Sequence, residues 1–320
     1  RWAGQYHHRA HDLLQQIENP LLAGFCFLGL GHHEDAQGNW DDAMKYYIQS
    51  KDRYWQAGNM RKWGDPMCMI VVLYHKKGEF KKSLELAEQV LQVGEESGDA
   101  QLCGWGLQNK GLNLLSMGLP DEAAVCLQRA ITLLWDIPDY LVAGLAKKDL
   151  GRCYLQQGEI DRGTALVEES CRILAEYDVH THFDADFYNA RTEAYLKKAE
   201  VAGNHIADVL KKAKFALKMS RKYSRRFKGR MPVALRLTGS YKFLKGNVAA
   251  AQKCWQESLE TAEKLGAHYE IGATCLEFGR KCGDLNHLER AREIFQKTGS
   301  VIDFEAAERE CRVVSTKNTQ

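Results

Sequence analysis

The sequence predicts an all-α protein, a right-handed superhelical solenoid of about seven helix pairs with a period near 40 residues. Three observations carry this. A turn motif recurs at Gly38-Asn39-Trp40, Gly78-Glu79-Phe80, Gly118-Leu119-Pro120 and Gly158-Glu159-Ile160, its glycines 40 residues apart each time. A small residue stands seven before the turn glycine at Gly31, Gly111, Gly151 and Gly239, with Val71 in the second repeat. A glycine inside a helix costs about 0.5–1 kcal/mol against alanine, so its recurrence at one register implies closely packed helices. Third, only five prolines occur in 320 residues, and all five fit a helical map.

The elements follow in order. Residues 1–17 read as a second helix without its partner, with Trp2, Tyr6, Ala10, Leu13 and Ile17 at helical intervals. Solenoid ends need a polar cap, and none is visible here, so the chain is expected to begin inside a longer array. From there each pair is a first helix, a glycine that ends it in the left-handed conformation, and a second helix opened by polar or acidic residues, as in Trp40-Asp41-Asp42-Ala43. The second helices are expected over 42–57, 81–97 and 121–135. Five residues past the glycine comes a small side chain, at Ala43, Ser83, Ala123, Gly163 and Ala251. Further on, a position facing the first helix holds Tyr47, Ala87, Leu127, Val167 and Trp255. Pro20, Pro66, Pro138 and Pro232 fall at or near starts of first helices, where proline is tolerated, and Pro120 lies in an intra-pair turn. The series loosens at Gly203, Gly246 and Gly283, with spacings of 45, 43 and 37. Residues 304–313 read as a short charged terminal helix. The organisation expected is N-terminal repeats over 1–180, an irregular repeat over 181–231, and C-terminal repeats with a capping helix over 232–320.

This small–large pattern resembles the tetratricopeptide repeat, whose unit is about 34 residues; a longer period implies longer helices or linkers. Residues 233–241 (VALRLTGSY), 246–255 (GNVAAAQKCW), 258–266 (SLETAEKLG), 269–272 (YEIG), 287–295 (HLERAREIF) and 299–303 (GSVID) resemble something more particular. They are similar to the C-terminal repeat region of signalling proteins in which a nucleotide cyclase or serine/threonine kinase domain precedes a STAND- or AAA-type ATPase. The resemblance implies a regulatory, partner-sensing arm. It transfers no catalytic residue, because the cyclase, kinase and ATPase motifs are absent from this sequence.

Composition narrows the function classes. A net charge of +2 argues against a protein that coats nucleic acid with its whole surface. No run approaches 18 uninterrupted apolar residues, so no membrane span is expected. Ten cysteines stand singly with no CxxC pair, as in Ala124-Val125-Cys126-Leu127, which suits buried reduced thiols and a cytoplasmic location. No basic-then-apolar run stands at Arg1, so a secretory signal is not expected. Phosphate-loop, HExxH and GxSxG motifs are missing, so no enzyme activity and no cofactor are expected.

Candidate sites are then weighed individually. His7 and His11 share a helical face beside His8, and His32 and His33 adjoin; neither group has acidic or cysteine partners at diagnostic metal spacing. His180, His182 and Asp184 could offer three ligands, or be a polar loop entering a helix. No metal is assigned. By repeat position, first helices line the concave face and place there Trp105, Gln108, Asn109, Leu112, Lys148, Arg152, Arg236 and Ser240, which either grip a peptide or merely solvate the inner wall. The basic segment holds Lys211, Lys212, Lys214, Lys218, Arg221, Lys222, Arg225, Arg226, Lys228 and Arg230 with no acid, leaving −8 on the rest of the chain. Phe215, Leu217, Met219, Tyr223 and Phe227 interleave with these charges. The segment reads as a solvated face and linker, or as a contact for an acidic protein surface, with nucleic acid and lipid less favoured. The expected function is a non-catalytic interaction and regulatory module whose partner is a protein, a peptide or another domain of its own chain. The alternatives are a free-standing adaptor for an extended peptide and a nucleic-acid-associated regulator using residues 211–230.

Overall fold

Glycine at the turns decides the architecture. All seven intra-pair turn glycines, from Gly38 to Gly283, hold φ between 50° and 87°. At Gly38 the amide donates to the Asp35 carbonyl and the next amide, Asn39, to Glu34. That double capping satisfies carbonyls left open at a helix end, and it repeats at Gly78, Gly118 and Gly246.

The computed structural model describes residues 18–177, 183–203 and 206–318, with Arg9 and Leu13. The helix expected over 1–17 otherwise lies outside the described residues. Among these there are 15 α-helices: α1 Pro20–Gln37, α2 Trp40–Gln56, α3 Met60–Lys77, α4 Phe80–Ser97, α5 Ala100–Ser116, α6 Pro120–Asp136, α7 Tyr140–Gln156, α8 Ile160–Glu176, α9 Asp184–Val201, α10 Ile206–Ser224, α11 Met231–Leu244, α12 Val248–Leu265, α13 His268–Cys282, α14 Leu285–Thr298 and α15 Val301–Asn318. They form seven helix pairs and a final helix, the helical-repeat solenoid the periodicity predicts. Of the polar residues expected to open the second helices, Asn247 and Asp284 cap with their side chains, while Asn39, Glu79 and Glu159 make no side-chain cap bond. First helices are capped at other residues. Asn19 accepts from Leu21 and Leu22 amides, and Asp99 from Gln101 and Leu102. One proline differs. Pro66 is the seventh residue of α3, where it removes the bond to the Lys62 carbonyl yet stays helical and buried.

Within a pair, the small and large positions face each other. A β-carbon on Gly31 would stand 2.5 Å from the Tyr47 ring, one on Gly111 2.5 Å from Leu127, and one on Gly151 2.8 Å from Val167. Gly239 meets Trp255 in the same way. In the second pair the sizes are exchanged: Val71 takes the glycine position and Ala87 the large one, both fully buried. Summed volume across the register is roughly kept, as close packing requires.

The solenoid also returns onto itself. The Val301 amide donates to the Met117 carbonyl at 3.0 Å, and the Phe80 and Tyr269 rings meet edge to face at 5.2 Å. The turns at Gly38, Gly78 and Gly118 lie against Leu265 and Lys228, against Tyr269, and against Ile302. One apolar core runs from Trp40 and Leu73 in the first pairs to Leu259, Cys275 and Phe295 in the last. One superhelical turn therefore closes after roughly five pairs, and closure encloses an axial channel. No described helix is long and apolar enough to cross a membrane.

Candidate functional site

The first helix of every pair faces the axis, and the second packs against its outer side. The result is a cavity of about 800 Å³ walled by α1, α3, α5, α7, α9, α11 and α13, and closed at the seam by Trp40, Gly229, Arg230 and Asp303. N-terminal halves of these helices supply Phe25, Leu28, Leu141 and Leu145, with Phe183 just before α9. Further along come the charged residues Lys76, Arg152, Glu193, Glu277 and Arg280.

Seven of the eight groove residues line this channel: Trp105, Gln108, Asn109, Leu112, Lys148, Arg152 and Arg236. Ser240 does not; it is buried and donates to the Arg236 carbonyl at 3.2 Å. The Trp105 indole donates to Asp139 at 2.7 Å, which fixes its ring in the wall. Gln108 donates to Asp149 at 3.2 Å. The Asn109 side chain donates to the Trp105 carbonyl at 3.0 Å, and its amide oxygen Oδ1, buried, has no partner. A buried acceptor left open costs about 1–3 kcal/mol, so a donor from the channel, met by a shift of the Asn109 side chain toward it, would relieve that cost.

Most of the channel's cations are matched by carboxylates. Arg236 meets Glu270 at 2.6 Å, Arg152 reaches Glu193 at 3.4 Å, and Lys148 stands 3.2 Å from Asp149. Burial pushes the Glu270 carboxyl upward even against Arg236. At the seam four groups interlock. Lys76 holds Asp35 at 2.7 Å, and Arg230 forks onto Asp186 at 3.0 Å while standing 3.9 Å from Asp35. Burial, then the Arg230 charge, brings the Lys76 ammonium down to about 8. Burial opposes the charge on Asp186, yet Arg230 and Lys148 hold its carboxyl below the usual range. Burial, then Arg152 and Lys148, pushes the His75 imidazole down to about 3, so it is neutral at pH 7 and shares a 2.9 Å hydrogen bond with Ser116.

The remaining candidates separate. His7, His8, His11, His180 and His182 lie outside the described residues. His32 is on α1 with its Nδ1 3.1 Å from the Tyr47 hydroxyl, and Asp184 is buried at the start of α9. Among the described residues no group of three or more His, Cys, Asp or Glu could hold a metal ion. All ten cysteines are free. Burial raises the Cys153 thiol to about 12 and those of Cys171 and Cys275 to about 11, the wrong direction for a nucleophile. Of the basic segment, Lys211, Lys212, Lys214, Lys218, Lys222, Arg225, Arg226 and Lys228 are exposed and Arg221 is half-buried. Arg230 leaves this set: it is buried in the seam.

Sequence reasoning missed Asp65, Met69, Lys76, Asn189 and Glu270 in the wall. A signal for most existed. Stepping by 40 residues from Asn109 gives Met69, Asp149 and Asn189, and from Trp105 gives Asp65 and Leu145.

No protein-family model matches the sequence, and no curated protein matches it. Solved structures do. The fold is similar to a Rap protein complexed with the competence and sporulation factor, at TM-score 0.64 and 13% identity over 98% of this chain and 80% of that one. It is similar to the Rap conjugation gene regulator of plasmid pLS20 in complex with the Phr* peptide, at 0.62 and 15% over 92% and 76%. A third is aspartyl phosphate phosphatase F from Bacillus subtilis, at 0.56 and 12% over 89% and 72%. At such identities the likeness is one of fold, a helical-repeat superhelix.

Proposed function

We propose that the chain is a non-catalytic regulatory module that takes a short peptide in its axial channel. The observation that carries this is the open side-chain acceptor of Asn109 in a wall where Arg236, Arg152, Lys148, Lys76 and Arg230 each face a carboxylate. An extended peptide carries a backbone N–H donor at every non-proline residue, and one such donor would satisfy Asn109. A volume of about 800 Å³ falls in the range of ligand sites, ~300–1,000 Å³. The apolar side chains at Phe25, Leu28 and Leu145 suit one or two apolar residues of the peptide. Two neighbours of the same fold hold a peptide or a factor in their complexes, which supports the reading by analogy of architecture. Reading the chain as the regulatory arm of a longer ATPase protein rests on the sequence resemblance alone.

The test is affinity selection of the folded protein against a random library of short peptides, followed by thermal shift and calorimetry on the selected sequence. The expected result is a peptide that raises Tm and loses on the order of tenfold in affinity in Asn109→Ala, since one hydrogen bond is worth about 1–1.5 kcal/mol. If no peptide is retained, or Asn109→Ala binds it as well as the parent, the proposal is wrong.

A further inference from the structure

A second surface lies outside the channel and is independent of it. Helix α10 buries Val209, Leu210, Ala213, Ala216, Leu217, Ser220 and Ser224 against its neighbours. The opposite face carries Lys211, Lys214, Lys218 and Lys222, at steps of 3, 4 and 4 residues, and Arg225 follows in the turn just past the helix end. At 3.6 residues per turn and 1.5 Å per residue, the four lysines form one straight row about 16 Å long. Phe215 sits within the row and is 55% exposed. Lys212, Arg226 and Lys228 widen it. Among the described residues no carboxylate lies within ion-pairing distance of any of these cations. That contrasts with the channel, where Arg236, Arg152, Lys76 and Arg230 each hold a carboxylate. Eight exposed like charges in so short a span repel one another, so an incoming anion relieves repulsion as well as forming pairs.

We infer that the outer face of α10 docks an acidic amphipathic helix of a partner protein, with carboxylates at the same three- and four-residue steps and an apolar contact for Phe215. Three features favour a helix over the other polyanions. The row is straight and matches another helix rung for rung, because both share one rise per residue. A nucleic-acid duplex has a backbone that winds away from a straight line, and it would reach beyond the stripe onto a molecule whose other residues sum to −6. Beyond a Debye length of about 8 Å the stripe's attraction is screened, so a partner about as wide as a helix uses the whole of it. Phe215, an aromatic ring on a rigid helix amid charges, is placed as the anchor of a protein contact.

The experiment compares two fluorescent, end-capped alanine-based helical peptides of identical composition with the intact protein at physiological salt. One carries glutamates stepped 3, 4 and 4 with a leucine beside the second, and the other carries the same residues out of phase. Binding is read by anisotropy. Lys211→Glu/Lys218→Glu/Lys222→Glu is the variant, Phe215→Ala tests the anchor, and Lys253→Glu is a distant charge control. A melting curve confirms that each variant is folded. The in-phase peptide is expected to bind on the order of tenfold tighter than the out-of-phase one, to lose at least that factor against the triple variant, and to weaken several-fold with Phe215→Ala. Equal binding of the two peptides overturns the proposal. So does no binding of either, or tighter binding by a duplex DNA, a single-stranded RNA or anionic vesicles under the same salt.

Discussion

The first four helix pairs and the stretch from Gly203 to Gly246 use the same kind of unit for different ends. In the first four pairs the period is 40, and every departure in side-chain size is compensated across the pair. Those residues specify how two helices pack and little else. In the irregular stretch the spacing lengthens, and the added residues form a 3-10 turn, Lys228–Arg230, between α10 and α11. That turn carries Arg230 into the Asp35–Lys76–Asp186 cluster and sets Gly229 against Trp40. A repeat that had stayed in register would not have delivered a guanidinium to the first pair. The same stretch turns unpaired cations outward. Regularity therefore encodes local packing, and the break in it encodes closure of the superhelix and a second surface.

Arg230→Ala should be the sharpest way to break the comparison. It leaves Asp186 and Asp35 buried with Lys76 and the more distant Lys148 as the remaining cations, and removing one partner of a buried ion pair costs about 3–5 kcal/mol. Denaturant unfolding should show that loss, and small-angle scattering should show a larger radius of gyration as the seam opens. Lys218→Ala, twelve residues earlier on the exposed row, should change stability by less than about 0.5 kcal/mol. Equal costs for the two would mean that Arg230 does not close the superhelix.

In the regular region the test is a double-mutant cycle. Gly31→Val places a branched side chain against Tyr47, and overpacking costs about 1–3 kcal/mol. Tyr47→Ala leaves a cavity. Together they recreate the Val71–Ala87 arrangement of the second pair, so the double variant should be more stable than the sum of the singles by about 1 kcal/mol or more. Additive losses would show that the size exchange between pairs is not compensation.

These two regions also differ in how much of them could be read beforehand. Helix pairs, turn glycines and the inner-wall positions Trp105, Gln108, Asn109 and Arg152 were legible, because a period repeated four times averages out local ambiguity. Closure was not. Nothing in the neighbourhood of Arg230 in sequence distinguishes it from the nine other cations of its segment; only the superhelix, with its return after roughly five pairs, brings Asp35 to it. The open oxygen of Asn109 was equally hidden, since an amide's partners are set by packing between pairs.

His75 joins the two regions and gives the smallest effect. Its ring packs on Phe80 at 5.2 Å, and Phe80 in turn meets Tyr269 across the seam. The folded imidazole titrates at about 3, while the unfolded one titrates near ~6.5. Between those values the unfolded chain binds the extra proton, so stability is complete above about pH 6.5 and falls as pH drops toward 3. At pH 5.5 the loss from this one group should be about 1.4 kcal/mol. His75→Gln keeps a hydrogen-bonding partner for Ser116 and has no proton to gain, so its stability should decline less steeply between pH 6.5 and 4.5. His32, also pushed down by burial, leaves a residual slope in both proteins. If the two pH profiles run parallel in that window, His75 is solvated through the channel, and the first turn of the solenoid is less tightly closed on the second than its contacts imply.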